Sequence, residues 1–224
     1  MIPLQPYFPI LNQPAGRIEN KPRRTVYSVK EKEYGQIKKE AGADKIFRLS
    51  VFLTHRNQLI FSTPAGPDMN NDLSDLIFCA EESRRIVQAF GIDPKIGIIS
   101  GGRTGDLGRN ETVDRTIEDA EKLQKILAGK KIAATHYTIL IEEAVKETNI
   151  LILPDSLSGE MILKTVAGIG EGREIGNILL LKRNGKERAE DNENVPIYIE
   201  QLTKKADPKD LEILKEALEL SKEI

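Results

Sequence analysis

The stretch that decides the fold runs from Lys95 to Leu123 and reads KIGIISGGRTGDLGRNETVDRTIEDAEKL. It starts with a continuous apolar run at 96–99, which is typical of a strand buried on both faces. A glycine-rich loop, Ser100–Asn110, follows at once, and a helical spacing of apolar residues begins near Glu111. A strand, a loop and a helix in this order predict one unit of an α/β sheet.

The same order recurs further along the chain. Apolar runs at Asn149–Leu153 and Asn177–Leu181 predict two more buried strands, and Lys131–Ala134 is compatible with another. Strands that alternate with helices predict a three-layer α/β/α protein with a mostly parallel sheet. The helical patterns that support this lie at 73–90, 111–127, 138–147, 158–169 and 208–222.

The first part of the chain has a different character. Lys45–Leu53 and Gln58–Ser62 are strand-like runs separated by a polar turn, which predicts an antiparallel hairpin. Residues 1–25 carry five of the eleven prolines, and the segment after them is highly charged. We therefore expect an extended arm and a charged helix over residues 1–44, and an α/β domain over residues 45–224. Whether a cleft divides that domain into two subdomains stays open.

The composition excludes several classes of protein. The 224 residues carry 33 Lys and Arg against 35 Asp and Glu, so the basic excess of a nucleic-acid binder is absent. With one cysteine, Cys79, and two distant histidines, His55 and His136, there is no disulfide framework and no local zinc motif. No apolar run reaches the ~18 residues that a membrane helix needs. We expect a cytoplasmic protein that binds neither nucleic acid nor membrane.

The Ser100–Asn110 loop is the first candidate site. Ligands of open α/β sheets bind at the carboxyl ends of the strands, which is where this loop lies. Its glycines let backbone N–H groups approach an anion, and its arginines match phosphate or carboxylate oxygens. The alternative is a loop whose arginines pair with nearby carboxylates, and we favour the anion site. The loop residues predicted to bind the ligand are Ser100, Gly101, Gly102, Arg103, Gly105 and Arg109.

A second loop, Pro154–Glu160, also follows a buried strand and opens a helix. Asp155 can orient a substrate group or act as a base, and it is the residue that we predict to be catalytic. Capping of the helix and an ion pair with Lys164 are its structural alternatives, and neither use is preferred. Ser158 and Gly159 are predicted to contact the ligand, although Ser158 is equally suited to capping.

His136 and Cys79 are the remaining reactive side chains. A lone histidine is more often structural than functional, but His136 precedes a predicted helix and is retained as a substrate contact. Cys79 falls within the helix that begins at Leu73 and is expected in the core rather than as a nucleophile. No Ser-His-Asp arrangement can be recognised from the spacing.

Two of these motifs carry a resemblance to a known family. The S-G-G-R-x-G-D-x-G-R run at 100–109 and the P-D-x-x-S-G run at 154–159 resemble the methanogen MtxX family, also called methanogenesis marker protein 4 and named as a methyltransferase subunit. That family is in turn similar to the phosphate acetyl/butyryltransferases, and the resemblance covers residues 45–181. It implies their isocitrate/isopropylmalate dehydrogenase-like fold and a homodimer with a cleft. It also implies an archaeal, cytoplasmic protein of one-carbon metabolism, with other methyltransferase subunits as partners.

The sequence also departs from the phosphate acyltransferase pattern. That family has P-D-x-x-x-G-N before the helix, whereas here Gly159 is followed by Glu160 instead of an asparagine. The family also has a Ser-Arg-Gly segment after a later strand, and residues 182–195 of this sequence do not contain one. Neither histidine lies in a corrinoid D-x-H-x-x-G motif, and there is no N-terminal glycine loop of the kind that binds S-adenosylmethionine.

Two function classes are therefore considered. The first is a group-transfer enzyme, either a methyltransferase subunit or, less favourably, a phosphate acetyl/butyryltransferase. The second is a non-catalytic subunit that binds a small phosphate- or carboxylate-bearing ligand. The residues do not identify a cofactor.

Overall fold

A computed structural model describes residues 3–12, 25–30, 33–69, 71–183, 196–203 and 206–221. The strands within these residues are β1 Val26–Ser28, β2 Lys45–Leu53, β3 Leu59–Thr63, β4 Ile96–Ile98, β5 Ala134–His136, β6 Ile150–Ile152, β7 Arg173–Lys182 and β8 Ile197–Glu200. The α-helices there are α1 Tyr34–Ala41, α2 Leu73–Ala89, α3 Glu111–Gly129, α4 Ile141–Glu147, α5 Ser156–Gly168 and α6 Pro208–Leu220.

The described strands form one eight-stranded sheet in the order β1-β8-β7-β2-β3-β6-β4-β5. Four of its seven pairings are parallel: β1 with β8, β3 with β6, β6 with β4, and β4 with β5. The three pairings in the middle, which join β8, β7, β2 and β3, are antiparallel. The predicted α/β fold with a mostly parallel sheet is confirmed, and its centre is antiparallel.

The orientation of β7 differs from the expectation. The sequence predicts Asn177–Leu181 as one of a parallel set, whereas the structure extends this strand to Arg173–Lys182 and pairs it antiparallel with β2. An apolar strand covered on both faces has the same composition in either orientation, so the sequence pattern does not reveal its direction.

Short elements lie where the sequence patterns are weak. The strand expected at Lys131–Ala134 is β5, displaced toward His136, and the helix expected from Thr138 begins at Ile141 as α4. Neither β1 nor β8 has a counterpart in the sequence pattern, because strands of three or four residues offer too few positions for a period to be detected. Residues 184–195, a polar stretch of the sequence that we interpret as a loop or tail, lie outside the described residues.

The predicted N-terminal arm packs on the body of the protein wherever it is described. Leu4, Phe8 and Ile10 are buried in the largest apolar cluster, and the Phe8 ring meets the Phe90 ring edge-on with 5.1 Å between centroids. The charged helix is α1, which follows strand β1 of the sheet. The domain boundary at residue 45 stays a prediction, and these contacts join the two sides of it.

Helices cover both faces of the sheet. Along β2, Phe47 and Leu49 point to the largest apolar cluster, which also contains residues of α2, α3 and α6. Ile46 and Phe52 point to the opposite face, into two small clusters formed with α1 and with α4 and α5. These are the three layers expected from the sequence. Among the described helices, none combines the length and the apolar content needed to cross a membrane.

A buried polar group of side chains lies on the same face as the two small clusters, and we call it the Arg48 cluster. Arg48 of β2 donates to Glu200 of β8 (2.5 Å from Nε to Oε1), to the Tyr34 hydroxyl of α1 (2.6 Å) and to Glu160 of α5. Tyr34 also donates to Glu200, and burial raises the pKa of Tyr34, so its proton stays in place. The cluster therefore ties both α1 and α5 to the sheet.

Candidate functional site

The carboxyl ends of β3, β4, β5 and β6 meet at one edge of the sheet, because these strands are parallel. The Ser100–Asn110 loop leaves β4, and the Pro154–Glu160 loop leaves β6, the strand next to it. The two loops predicted from the sequence are therefore neighbours, at the edge where open α/β sheets bind ligands.

Two predicted site residues are in direct contact across β4 and β5. The Oγ atom of Ser100 lies 2.9 Å from Nε2 of His136 and 3.0 Å from the Gly102 carbonyl oxygen. The ladder pairs His136 with Ile98, two residues before Ser100, so the imidazole reaches toward the carboxyl edge. Ser100 is buried and His136 is half-buried. The spacing of the sequence does not predict this contact.

The first glycines of the loop allow close packing against α3. The Gly101 N–H donates to the Thr116 hydroxyl at 2.8 Å, and a Cβ at Gly102 would lie 2.5 Å from a methyl carbon of Val113. Gly105, by contrast, is exposed, and a Cβ there would meet no atom within 4 Å. Packing therefore explains Gly101 and Gly102 without a ligand, and Gly105 lies in the open part of the loop.

The two loop arginines differ in their surroundings. Arg109 is paired with Asp106 at 2.7 Å, and its side chain is 75% exposed. The Arg103 backbone N–H donates to the same Asp106, but its exposed guanidinium has no ion pair or hydrogen bond to the described residues. Pairing within the loop thus holds for Arg109, whereas the charge of Arg103 is available to a ligand.

The amino terminus of α3 is already capped by the protein. Asn110 accepts from the Thr112 N–H at 2.9 Å, and Asp114 accepts from the Gly108 N–H at 3.0 Å. These side chains occupy N–H groups that an anion would otherwise use, and the carboxylate adds negative charge. We therefore do not assign ligand binding to this helix end.

The second loop uses Asp155 as a helix cap. Its carboxylate accepts from the Ser158 N–H at 2.7 Å at the start of α5. The structural alternative considered for Asp155 is thus observed, while its catalytic role stays a prediction. Ser158 is not the cap and lies half-buried in the first turn.

Gly159 and Glu160 face the interior rather than the first loop. A Cβ at Gly159 would lie 2.8 Å from the Ala65 Cβ and within contact distance of the Pro64 carbonyl oxygen, so this glycine lets α5 approach the end of β3 closely. Glu160 is paired with Arg48. The carboxylate that replaces the amide of the acyltransferase motif therefore belongs to the Arg48 cluster.

Asn71 supports the second loop, a role that the sequence analysis did not predict. Asp72 caps α2, and the side-chain amide oxygen Oδ1 of Asn71 accepts from the Ser156 N–H at 2.6 Å. Ser156 also donates from its hydroxyl to the Asp68 carbonyl at 3.0 Å. The segment before α2 thus fixes the first turn of α5.

Cys79 lies in the core, as predicted. It is fully buried in α2, and burial raises the pKa of its thiol to about 12, so it stays protonated at neutral pH. Within the part of the chain that the structure describes, no three His, Cys, Asp or Glu side chains are grouped to hold a metal ion.

The sequence is similar to proteins that are named as methyltransferases, and no family model matches it. A Methanosarcina barkeri protein named "Putative methyltransferase mtx subunit X" is 40% identical over 146 residues, which cover 65% of this chain and 54% of that protein. A protein of the same name from Methanosarcina acetivorans is 40% identical over 149 residues, with 65% and 52% covered. The chain is a homologue of these proteins and spans about half of their length.

The fold resembles that of phosphotransacetylases. A branched-chain phosphotransacylase from Enterococcus faecalis matches with a TM-score of 0.64 at 13% identity, over 88% of this chain and 73% of that chain. The EutD phosphotransacetylase from Staphylococcus aureus matches with a TM-score of 0.58 at 16% identity, over 82% and 56%. At such identities the likeness concerns the fold alone.

Proposed function

We propose that this homologue of the "Putative methyltransferase mtx subunit X" proteins binds a small phosphate- or carboxylate-bearing ligand at the carboxyl edge of β4, β5 and β6. The observation that carries the proposal is the exposed guanidinium of Arg103. Arg103 lies three residues after Ser100, and Ser100 is in contact with His136. Arginine offers a forked set of donors to either kind of anion. The serine and the histidine supply neutral polar groups beside it.

The remaining predicted contacts lie on the same two loops and complete the proposed site. They are Gly101, Gly102, Gly105, Arg109, Ser158 and Gly159. Asp155 accepts from the Ser158 N–H through one carboxylate oxygen, and its other oxygen would position a second reactant. Binding is the role that the exposed Arg103 guanidinium favours, within a methyl-transfer system whose other subunits the relatives' name suggests. Catalysis of group transfer by this chain is the second candidate, and it would require Nε2 of His136 to accept the Ser100 proton in their contact.

Arg103→Ala is the test of the site. Hydrogen bonds to charged groups contribute about 1.5–3 kcal/mol, so we expect calorimetry to show roughly tenfold or greater loss of affinity for inorganic phosphate or acetyl phosphate. Arg109→Ala should weaken binding less, because Asp106 already holds that guanidinium. Arg56 is an exposed arginine in the β2–β3 turn at the opposite edge of the sheet, and Arg56→Ala is the control. Unchanged affinity in Arg103→Ala would remove the proposed site.

A thermal-shift screen separates the function classes. Coenzyme A, S-adenosylmethionine and tetrahydromethanopterin are compared with phosphate and acetyl phosphate as ligands. Stabilisation by coenzyme A would support acyl transfer, and stabilisation by S-adenosylmethionine or tetrahydromethanopterin would support methyl transfer. Stabilisation by the simple anions alone would support a binding subunit.

A homodimer is part of the proposal, with the outer face of α5 as its contact surface. Leu157 and Met161 are 57% and 59% exposed on this helix, and Ile169, just beyond its end, is 82% exposed. Neighbouring exposed apolar side chains on one helix face favour burial against another protein surface. A two-fold contact would bury the same side chains of both copies.

A further inference from the structure

The hydroxyl of Ser100 has one proton and two polar neighbours. Its Oγ atom lies within hydrogen-bond distance of both His136 Nε2 (2.9 Å) and the Gly102 carbonyl oxygen (3.0 Å). Both Ser100 and Gly102 are buried, and among the described residues no other donor reaches that carbonyl. One proton cannot be donated to both neighbours.

Only one arrangement of protons satisfies both contacts. If the hydroxyl donated to His136, the carbonyl of the buried residue Gly102 would lose the donor that reaches it, which is unfavourable. If the hydroxyl donates to Gly102, its lone pairs accept the N–H of His136 Nε2. The hydrogen of the neutral imidazole then lies on Nε2, and the lone pair lies on Nδ1.

Burial keeps this imidazole neutral. It lowers the pKa of His136 below its ordinary value, and the negative charge of Glu121 opposes that shift only in part. At neutral pH the ring therefore has one donor and one acceptor. Because the donor is turned to Ser100, Nδ1 is the acceptor.

We infer that Ser100 is a positioning residue that fixes the Nε2–H tautomer of His136 and makes Nδ1 the hydrogen-bond acceptor of the ligand site. The consequence for the ligand rests on the proposed function. An anion that is held by Arg103 and meets Nδ1 must carry an O–H, N–H or S–H group near its charge. A hydroxy acid or a protonated phosphate monoester has this chemistry, whereas a simple carboxylate lacks the donor.

Nitrogen-15 NMR of the histidine side chains tests the tautomer. The chain has two histidines, and a His55→Gln variant assigns the exposed one. We expect His136 to show a protonated Nε2 and an unprotonated Nδ1 near neutral pH, and Ser100→Ala to give a mixture of tautomers. Ser83→Ala is the matched control, because Ser83 is a buried serine of α2 that donates to the Ala80 carbonyl at 3.1 Å. It should keep the wild-type pattern.

Either of two results would overturn the inference. A protonated Nδ1 in the wild-type protein does so by itself, even where Ser100→Ala fails to fold. An unchanged tautomer in a folded Ser100→Ala protein does so as well, since the serine would then not be what fixes the ring.

Glycolate and acetate are matched probes for the ligand, because they share a carboxylate and differ by one hydroxyl. We expect the wild-type protein to bind glycolate roughly two- to tenfold more tightly, the range of one net hydrogen bond, and His136→Asn to bind both equally. Equal affinities in the wild-type protein would overturn the assignment of Nδ1 to the ligand. If neither probe nor phosphate binds, the proposed anion site is wrong, while the tautomer measured in the free protein decides the role of Ser100.

Discussion

At the scale of single residues, Arg48 is the most deeply buried of the basic side chains that the structure describes. It is 3% exposed and lies among two carboxylates and the Tyr34 hydroxyl. Removing charges from water costs several kcal/mol per ion, and the cost is offset only where the partners and their hydrogen bonds are well placed. Arg48 is paired with both Glu160 and Glu200, so the cluster depends more on the guanidinium than on either acid.

Arg48→Met should therefore lower the free energy of unfolding by about 3–5 kcal/mol, because it removes the cation that is paired with both Glu160 and Glu200. Glu160→Gln should lower it by roughly 1 kcal/mol, since Glu160 is 18% exposed and Glu200 still pairs with Arg48. Urea denaturation of both variants at neutral pH makes the comparison. Similar losses in the two variants would contradict this account.

The sequence predicted which residues lie at the candidate site better than it predicted what they touch. Ser100, Arg103 and His136 follow from the loop and strand patterns, but the Ser100–His136 contact depends on the register of β4 and β5. One sequence contains no information on that register, because nothing in the composition says which residues lie opposite each other. For Asp155 the sequence allows both a catalytic role and a capping role. Its hydrogen bond from the Ser158 N–H, which only the structure reveals, shows the capping role.

At the scale of elements, the position of α5 depends on a residue without a side chain. Gly159 is buried where the helix crosses the chain that follows β3, against Pro64 and Ala65. Any Cβ there would need the helix or that segment to move. The first turn of α5 forms one side of the candidate site, so this close approach also fixes the site's shape.

Gly159→Ala should destabilise the protein by about 1–3 kcal/mol, because an added methyl group must displace well-packed backbone. Gly168→Ala, at the end of the same helix, is the control: a Cβ there meets no atom within 4 Å, and alanine favours the helix by up to about 1 kcal/mol. Thermal unfolding of the two variants tests this. Equal stability of Gly159→Ala and the wild-type protein would show that the helix can shift at no cost.

Long elements were more predictable than short ones. Helices α2, α3 and α6 have 13 to 19 residues, enough for several turns of apolar periodicity. β1 and β8 have three and four residues, and they become recognisable only when paired with each other. The direction of β7 was not accessible either, since it depends on partner β2 at a distance in the chain.

At the scale of the whole molecule, the exposed face of α5 predicts self-association. Met161→Lys should convert a dimer to a monomer, because it places a charge at the centre of the apolar face. Gln88→Lys makes the same change at an exposed site on α2 and should leave the dimer intact. Light scattering after size-exclusion chromatography gives the mass of each variant. A wild-type monomer, or a dimer that persists in Met161→Lys, would exclude this contact.

The long pairing of β2 with β7 has a consequence for folding during synthesis. Leu53 pairs with Arg173, which the ribosome adds 120 residues later. At roughly 5–20 residues per second, about 6 to 24 s pass between them. Throughout that interval the backbone groups on the β2 side of the Lys45–Thr63 hairpin lack their partner strand, and open edges pair with other chains. Nascent chains are therefore most exposed to aggregation before residue 182 emerges, and a chaperone that covers extended apolar segments would protect them in that window.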